Sequence, residues 1–249
     1  MSDFNRGFTR NMTASADMSV DAGLRAFMLG VYNKVGLGLL LSAALAYVTS
    51  SVPAVRDVLF RVTEDGVLVG LTGPGMLLAL APLGIILVSS FAMRNPSPRS
   101  SGLLYWSIVA MLGASMGVIV LLYTGASVVT TFLVTATAFG ALSLVGYTTK
   151  RDLTGFGSFL IMGLVGLLLA MVVNIFLQSP AMAFVVNVAG VLIFAGLIAY
   201  DTQRLKMTYY HLGGDQAALG VATNYGALSL YLDFINLFRF LLSIFGGRR

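Results

Sequence analysis

The sequence predicts an all-α polytopic membrane protein with seven transmembrane helices, and three observations carry that reading. Of 249 residues, 57% are hydrophobic and 10% charged, with a mean hydropathy of +0.89, whereas an average soluble domain is about 25% charged. Apolar stretches of about 20 residues, the length that crosses a bilayer as a helix, can be counted seven times. The charged residues collect between them. The same composition narrows the chemistry. With no cysteine there are no disulfides, thiolate nucleophiles or cysteine-ligated metals, and the single histidine, His211, disfavours a histidine-based zinc site. The formal charge of +5 is scattered between apolar spans rather than clustered, which reads as a topology signal and not as a nucleic-acid footprint.

The chain opens with a polar tail, residues 1–26, that mixes Arg6, Arg10 and Arg25 with Asp3, Asp17 and Asp21. It lacks the early apolar core of a secretory signal and is expected to be a mobile cytoplasmic extension to about residue 19. Asn11-Met-Thr13 fits a glycosylation sequon, a pattern of little weight on a cytosolic segment. The seven-helix domain occupies residues 27–249. Its first span, 27–50, carries Asn33 and Lys34 near its start, where the lysine is placed to snorkel to the headgroups. A polar loop with Arg56, Asp57, Arg61, Glu64 and Asp65 follows. The second span, 75–93, contains Pro82 and is closed by Arg94 and Asn95-Pro-Ser-Pro98. Spans three and four, 102–123 and 126–147, are so close in sequence that they form a tight hairpin. Lys150-Arg-Asp152 leads to the fifth, 155–177, and Gln178-Ser-Pro180 to the sixth, 183–206, which ends in Asp201-Thr-Gln-Arg204. A loop with His211, Gly213, Gly214 and Asp215 precedes the seventh, 226–245, and Arg248-Arg249 ends the chain.

Basic residues in short loops set orientation. With the N-terminus in the cytoplasm, Arg6, Arg10, Arg25, Arg94, Arg99, Lys150, Arg151, Arg204 and Lys206 lie inside, against Arg56, Arg61, Arg248 and Arg249 outside. An N-in, C-out arrangement follows, with the terminal arginine pair as its one discordant feature. Acids in membrane-length helices are costly and call for a partner. Asp201 closes the sixth span, and Asp233 lies on the order of 10 Å into the seventh at about 1.5 Å per residue. The second and sixth spans both reach the cytoplasmic face and the seventh leaves it, so Arg94, Asp201 and Asp233 are expected to meet at one depth. Steps of three, four and seven place Ser229, Asp233, Asn236 and Ser243 on one side of the seventh helix, a polar stripe that faces protein or water and not lipid. Plainer readings stand beside these. Asp233 can be a structural acid satisfied by neighbouring helices, Asp201 can be solvated and paired with Arg204 at i+3, and Arg94 can be a positive-inside anchor. Arg239, off the Asp233 side, reads as snorkelling to the outer headgroups.

Gly113-Ala-Ser-Met-Gly117 matches both G-x-x-x-G and G-x-S-x-G. Close helix packing is the reading that an apolar span supports, because a hydrolase elbow needs a strand-to-helix turn and a histidine nearby. No G-x-x-x-x-G-K is present, so nothing supports coupling to nucleotide hydrolysis.

Three motifs in order resemble the signatures of the Bax inhibitor-1 family, also called the transmembrane Bax inhibitor motif family. Gly146-Tyr-Thr-Thr-Lys-Arg-Asp-Leu-Thr-Gly155 is similar to the stretch between the fourth and fifth helices in its bacterial branch, and Tyr200-Asp-Thr-Gln203 and Tyr231-Leu-Asp-Phe-Ile-Asn-Leu-Phe238 resemble its two aspartate motifs. The resemblance runs from about residue 23 to the end. It implies a bacterial inner-membrane protein with a seven-helix fold and the last helix central, enclosed by the other six. It also implies a pH-sensitive calcium leak channel, in which aspartates on the sixth and seventh helices share a proton and an arginine ending the second latches onto them. The matching positions are Asp201, Asp233 and Arg94. In one respect the sequence departs from the pattern. Some members carry a further acid on the second helix, and the corresponding position here is near Leu83, in a span with no acid, so a calcium path has fewer charged ligands.

The residues supply a mechanism to set beside the resemblance. Two carboxylates sharing a partly dry site resist joint ionisation. Arg94 favours the ionised acids, and the deprotonated pair offers hard oxygens to calcium. The expected function is a pH-sensitive calcium (cation) leak channel, with Asp201 and Asp233 as proton sensor and possible calcium ligands, Arg94 as latch, Ser229 and Asn236 as supporting polar groups, and no cofactor required. The alternative is a non-conducting stress-response protein that modulates a membrane-bound quality-control protease, a role to which the resemblance also links the bacterial branch and for which the N-terminal tail is the natural handle. Intramembrane aspartyl proteolysis fits poorly. Leu230-Tyr-Leu232 precedes Asp233 where those enzymes show Gly-x-Gly, and no Pro-Ala-Leu follows.

Overall fold

The computed structural model of the chain describes residues 22–63, 67–92 and 95–248. The polar tail up to residue 21, with its sequon, lies outside the described residues, as do Glu64, Asp65, Arg94 and Arg249. In chain order the elements are α1 (Ala22–Ser51), α2 (Pro53–Leu59), β1 (Phe60–Val62), β2 (Leu68–Leu71), α3 (Gly73–Ala92), α4 (Pro98–Ser115), α5 (Gly117–Leu122), α6 (Gly125–Thr148), α7 (Thr154–Leu177), α8 (Pro180–Leu212) and α9 (Gln216–Phe245).

The chain is an integral membrane protein. Six segments among the described residues are long and apolar enough to cross a bilayer: α1, α4 with α5, α6, α7, α8 and α9. The counterpart of the expected second span is α3, a 20-residue helix with Pro82 inside it. Helix α7 shows which solvent the fold is made for. Only 11% of its most apolar window is buried, and Phe159, Leu169 and Phe176 stand exposed along it, a face too large and apolar for water. In a bilayer the helical backbone satisfies its own hydrogen bonds and such a face is stable.

Local chemistry fixes where the helices start and stop. Ser97 and Ser100 form a reciprocal capping box ahead of α4, with Pro98 in its first turn. Thr124, Ser179 and Asp215 accept backbone N–H groups at the starts of α6, α8 and α9. Helix α8 ends at Gly213 and Gly214, whose φ angles of 57° and 90° lie in the left-handed region that glycine tolerates.

Several elements differ from expectation. The polar loop after the first span is a short helix, α2, opened by Pro53, followed by an antiparallel hairpin pairing Phe60 with Leu71. Phe60 is buried, so the loop is anchored by one apolar side chain that its charged neighbours conceal in the sequence. The third span breaks at Met116 into α4 and α5, between two glycines in close contact with neighbouring elements. A Cβ on Gly113 would fall 2.5 Å from Ser42 Cα, and one on Gly117 would fall 2.3 Å from Thr49 Oγ1, the close approach that small residues permit. Helices α8 and α9 run well past the apolar stretches, because hydropathy marks the lipid-facing part while the backbone ladder continues until Gly213 breaks it. Helix α1 begins at Ala22, five residues inside the expected tail. Lys34 turns inward, and its Nζ donates to the side-chain oxygen of Asn224 on α9 instead of reaching for headgroups.

Helix α9 is the most buried of the spans, 61% against 11–39% for the others, and packs against α8, α1, α4 and α6. Its residues Leu230, Tyr231, Phe234, Leu237 and Leu242 are each at most 2% exposed. Contacts between connections define the two ends of the bundle. At one end the Asn224 amide donates to Pro98 O, at 2.9 Å, and to Ser101 Oγ, at 2.8 Å. At the other, Thr124 N donates to Gly247 O at 3.0 Å, so the turn between α5 and α6 meets the chain's end.

Candidate functional site

The site lies in the seam between α8 and α9, antiparallel neighbours joined by the Gly213-Gly214 turn. Close approach is possible because Gly190 lies against the Phe240 ring and Gly226 against Leu205, where a Cβ would fall 2.7 and 2.3 Å away. A carboxylate cannot face lipid at acceptable cost, so both acids turn into this seam. Asp201 is 7% exposed and Asp233 6%, and the two carboxyls face each other closely enough to interact. Two carboxylates so placed resist joint ionisation, and a proton shared between them would relieve the repulsion. No amide, hydroxyl or cation among the described residues reaches Oδ2 of Asp233. Arg204 closes the cluster. Its Nη2 lies 3.4 Å from Asp201 Oδ1 and donates to Ser229 Oγ at 3.3 Å, which sets Ser229 beside the Asp201 carboxyl.

The stripe on α9 faces α8. Ser229 meets Arg204 and Asp201, Asp233 meets Asp201, and Ser243 accepts from Asn187 Nδ2 at 2.8 Å. Asn236 is the exception, because its Nδ2 donates to Leu232 O on its own helix at 2.9 Å. The positions along the helices differ from expectation. Asp201 stands eleven residues before Leu212 and Asp233 seventeen after Gln216, about 17 and 26 Å from those helix ends at about 1.5 Å per residue. Both are thus interior residues of their helices, because α8 continues past the apolar span that Asp201 closes and α9 begins before the one that holds Asp233. Arg94, the expected latch, is outside the described residues; among those described, the cation paired with Asp201 is its i+3 neighbour Arg204. Ile86 and Ser89 of α3 line a cavity of about 420 Å³ together with Arg204 and Ser229, so the last turns of α3 face the cluster. Arg239, exposed on the outer surface of α9, takes no part.

Residues that sequence reasoning passed over tie two of the motifs together. Gln203 Oε1 accepts from Leu153 N at 2.8 Å while its Nε2 donates to Arg151 O at 2.7 Å. Lys206 Nζ donates to Tyr147 O at 2.7 Å and sits 5.6 Å from the centre of that ring. Gly146 abuts the Ala199 carbonyl, where a Cβ would fall 2.2 Å from the oxygen. The connection between α6 and α7 is therefore fastened to the helix that carries Asp201. A glutamine and a lysine closing an apolar stretch were the available signal, though their partners are about fifty residues away. At the connection's surface, hydrogen bonds from Thr154 hold the Asp152 carboxyl below the usual carboxylate range.

Chemically the cluster can hold or release a proton and present carboxylate oxygens beside a guanidinium. Among the described residues no three acidic or histidine side chains gather to hold a metal, and calcium takes six to eight oxygens. Any calcium ion meeting this pair would need most of its ligands from elsewhere.

Comparison with known proteins places this geometry in context. A protein of Caulobacter vibrioides is 67% identical over 250 residues, covering all of both chains. A protein of Rickettsia prowazekii is 39% identical, again over the full length of both. Inner membrane protein YbhL of Escherichia coli is 43% identical over 229 residues, 92% of this chain and 94% of that one. The family model described as inhibitor of apoptosis-promoting Bax1 matches residues 24–249. On these matches, which take in both aspartates and the connection fastened to them, the chain belongs to the Bax inhibitor-1 family.

Proposed function

We propose that the protein is a pH-sensitive calcium (cation) leak channel of the bacterial inner membrane, gated by the Asp201–Asp233 pair. The observation that carries this reading is the pairing of two carboxyls, each more than nine-tenths buried, across the seam between α8 and α9. With the proton in place, the pair is singly charged and held by Arg204. When the proton leaves, two negative charges remain in a site of low polarity, and a cation must answer them. Arg204, Arg94 and a calcium ion compete for the same oxygens. Arg94 is the latch in this scheme, arriving from the end of α3, whose Ile86 and Ser89 already share a cavity with Arg204. Protonation thereby biases α3, α8 and α9 between two arrangements.

The topology that goes with this function has seven spans, α3 included, with α9 enclosed by the rest and the N-terminus in the cytoplasm. Support comes from the distribution of cations. Arg99, Lys150, Arg151, Arg204 and Lys206 gather toward one end of the bundle, and Arg56, Arg61 and Arg248 toward the other, the bias expected of an inner and an outer face.

Calcium flux into liposomes holding the purified protein tests the proposal. Wild-type flux is expected to change with pH between about 6 and 8 and to lose that dependence in Asp201→Asn and Asp233→Asn. Equal, pH-independent leakage in all three proteins refutes it, and a non-conducting role in the stress response then takes its place.

A further inference from the structure

Beside the seam, a cleft of about 790 Å³ opens between the α6–α7 connection and the last turns of α8. Its charge is one-sided. Lys150, Arg151, Arg204 and Lys206 line it, against the single carboxylate of Asp152. Lys150 and Arg151 have no carboxylate partner among the described residues. Lys206 is buried and spends one proton on Tyr147 O, so its remaining charge has no acid to answer it there. Cations left facing one another in a cleft repel, and an anion is what makes such an arrangement favourable.

We infer that this cleft binds the phosphate group of an anion at the membrane surface, with a phospholipid headgroup as the source that its position favours. Three features separate it from a solvated loop. The walls are fixed, because Gln203 grips the connection at both Arg151 O and Leu153 N, at 2.7 and 2.8 Å, and Gly146 is pressed against the Ala199 carbonyl. A hydroxyl supplements the charges, with Thr149 in the lining and its Oγ1 accepting from Arg151 N at 3.3 Å. The cleft also lies where α6 ends and α7 begins, the level at which a span meets the headgroups, and basic pockets there are suited to anionic lipids. Phosphate offers several acceptor oxygens to guanidinium and ammonium donors arranged around it. The inference does not depend on conduction. Arg204 belongs to both sites, so the variants that test this one leave it in place.

The test compares retention of phosphatidylglycerol and phosphatidylcholine by the purified full-length protein, read by native mass spectrometry of detergent-solubilised samples. Wild type is expected to keep phosphatidylglycerol preferentially and to lose it as ionic strength rises. The double variant Lys150→Ala with Arg151→Ala is expected to weaken that retention more than tenfold, at about fivefold per cation. Arg56→Ala with Arg61→Ala, the same charge change at the opposite end, is expected to leave it unchanged. A parallel arm adds inorganic phosphate to lipid-depleted wild type and reads thermal stability. Stabilisation by phosphate alone, lost in the Lys150/Arg151 variant, supports the site with a soluble occupant. The inference is overturned if wild type shows neither headgroup preference nor phosphate stabilisation. It is equally overturned if the Lys150/Arg151 variant retains lipid as wild type does. Should that variant fail to fold, the wild-type headgroup preference and its salt dependence still decide between the outcomes.

Discussion

Asp201 and Asp233 owe their character to what surrounds them and not to their place in the chain. Each would be an ordinary solvated acid on a loop, yet in the seam each is enclosed and faces the other. Neighbouring polar residues then divide by what they touch. Ser229 Oγ accepts from Arg204 beside the Asp201 carboxyl, whereas the Asn236 amide is spent on Leu232 O. Ser229→Ala is therefore expected to displace the pH profile of liposome flux, because Arg204, the cation beside Asp201, loses a partner worth about 1 kcal/mol. Asn236→Ala is expected to leave the profile in place. A displaced profile in the Asn236 variant alone would reverse these assignments. Here the sequence was a partial guide. Helical periodicity placed both residues on one side of α9, but it is blind to whether a side chain bonds its own backbone.

Among the elements, α8 acts as the spine that joins the carboxylate seam on one side to the α6–α7 connection on the other. The joint depends on backbones touching at Gly146 and Ala199. A methyl group there must displace a carbonyl, so Gly146→Ala is expected to cost about 1–3 kcal/mol, as overpacking does, seen as a lower unfolding midpoint in detergent. Gly140→Ala, on the same helix with nothing within 4 Å of its Cβ position, is expected to stay within about 0.5 kcal/mol of wild type. Equal midpoints for the two variants would remove the joint from the account. The motifs at residues 146–155 and 200–203 were legible as separate strings. That Gln203 and Lys206 bind the first string to the second was not, because nothing in one-dimensional spacing links residues so far apart.

At the scale of the whole molecule, the two ends of the bundle differ in charge, and that difference sets the orientation proposed. The absence of cysteine makes it directly measurable, since any single introduced cysteine is the only thiol. Lys150→Cys is expected to react with a membrane-impermeant maleimide only in inside-out vesicles, and Val67→Cys and Arg248→Cys only in right-side-out cells or spheroplasts. Labelling of positions 150 and 248 from the same side would overturn the N-in, C-out arrangement.

By itself the sequence determined the solvent, the helical class, most of the spans and the two acids that cannot face lipid, because each follows from composition and local periodicity. It misjudged where those acids stand along their helices, since hydropathy ends where lipid ends and backbone hydrogen bonding does not. Only the tertiary structure decided that the carboxyls face each other, that the described cation beside Asp201 is Arg204, that Asn236 stands aside, and that a basic cleft opens next to them. Those facts depend on which faces two antiparallel helices turn to each other and on how closely their glycines let them approach, and both are settled by packing across the bundle.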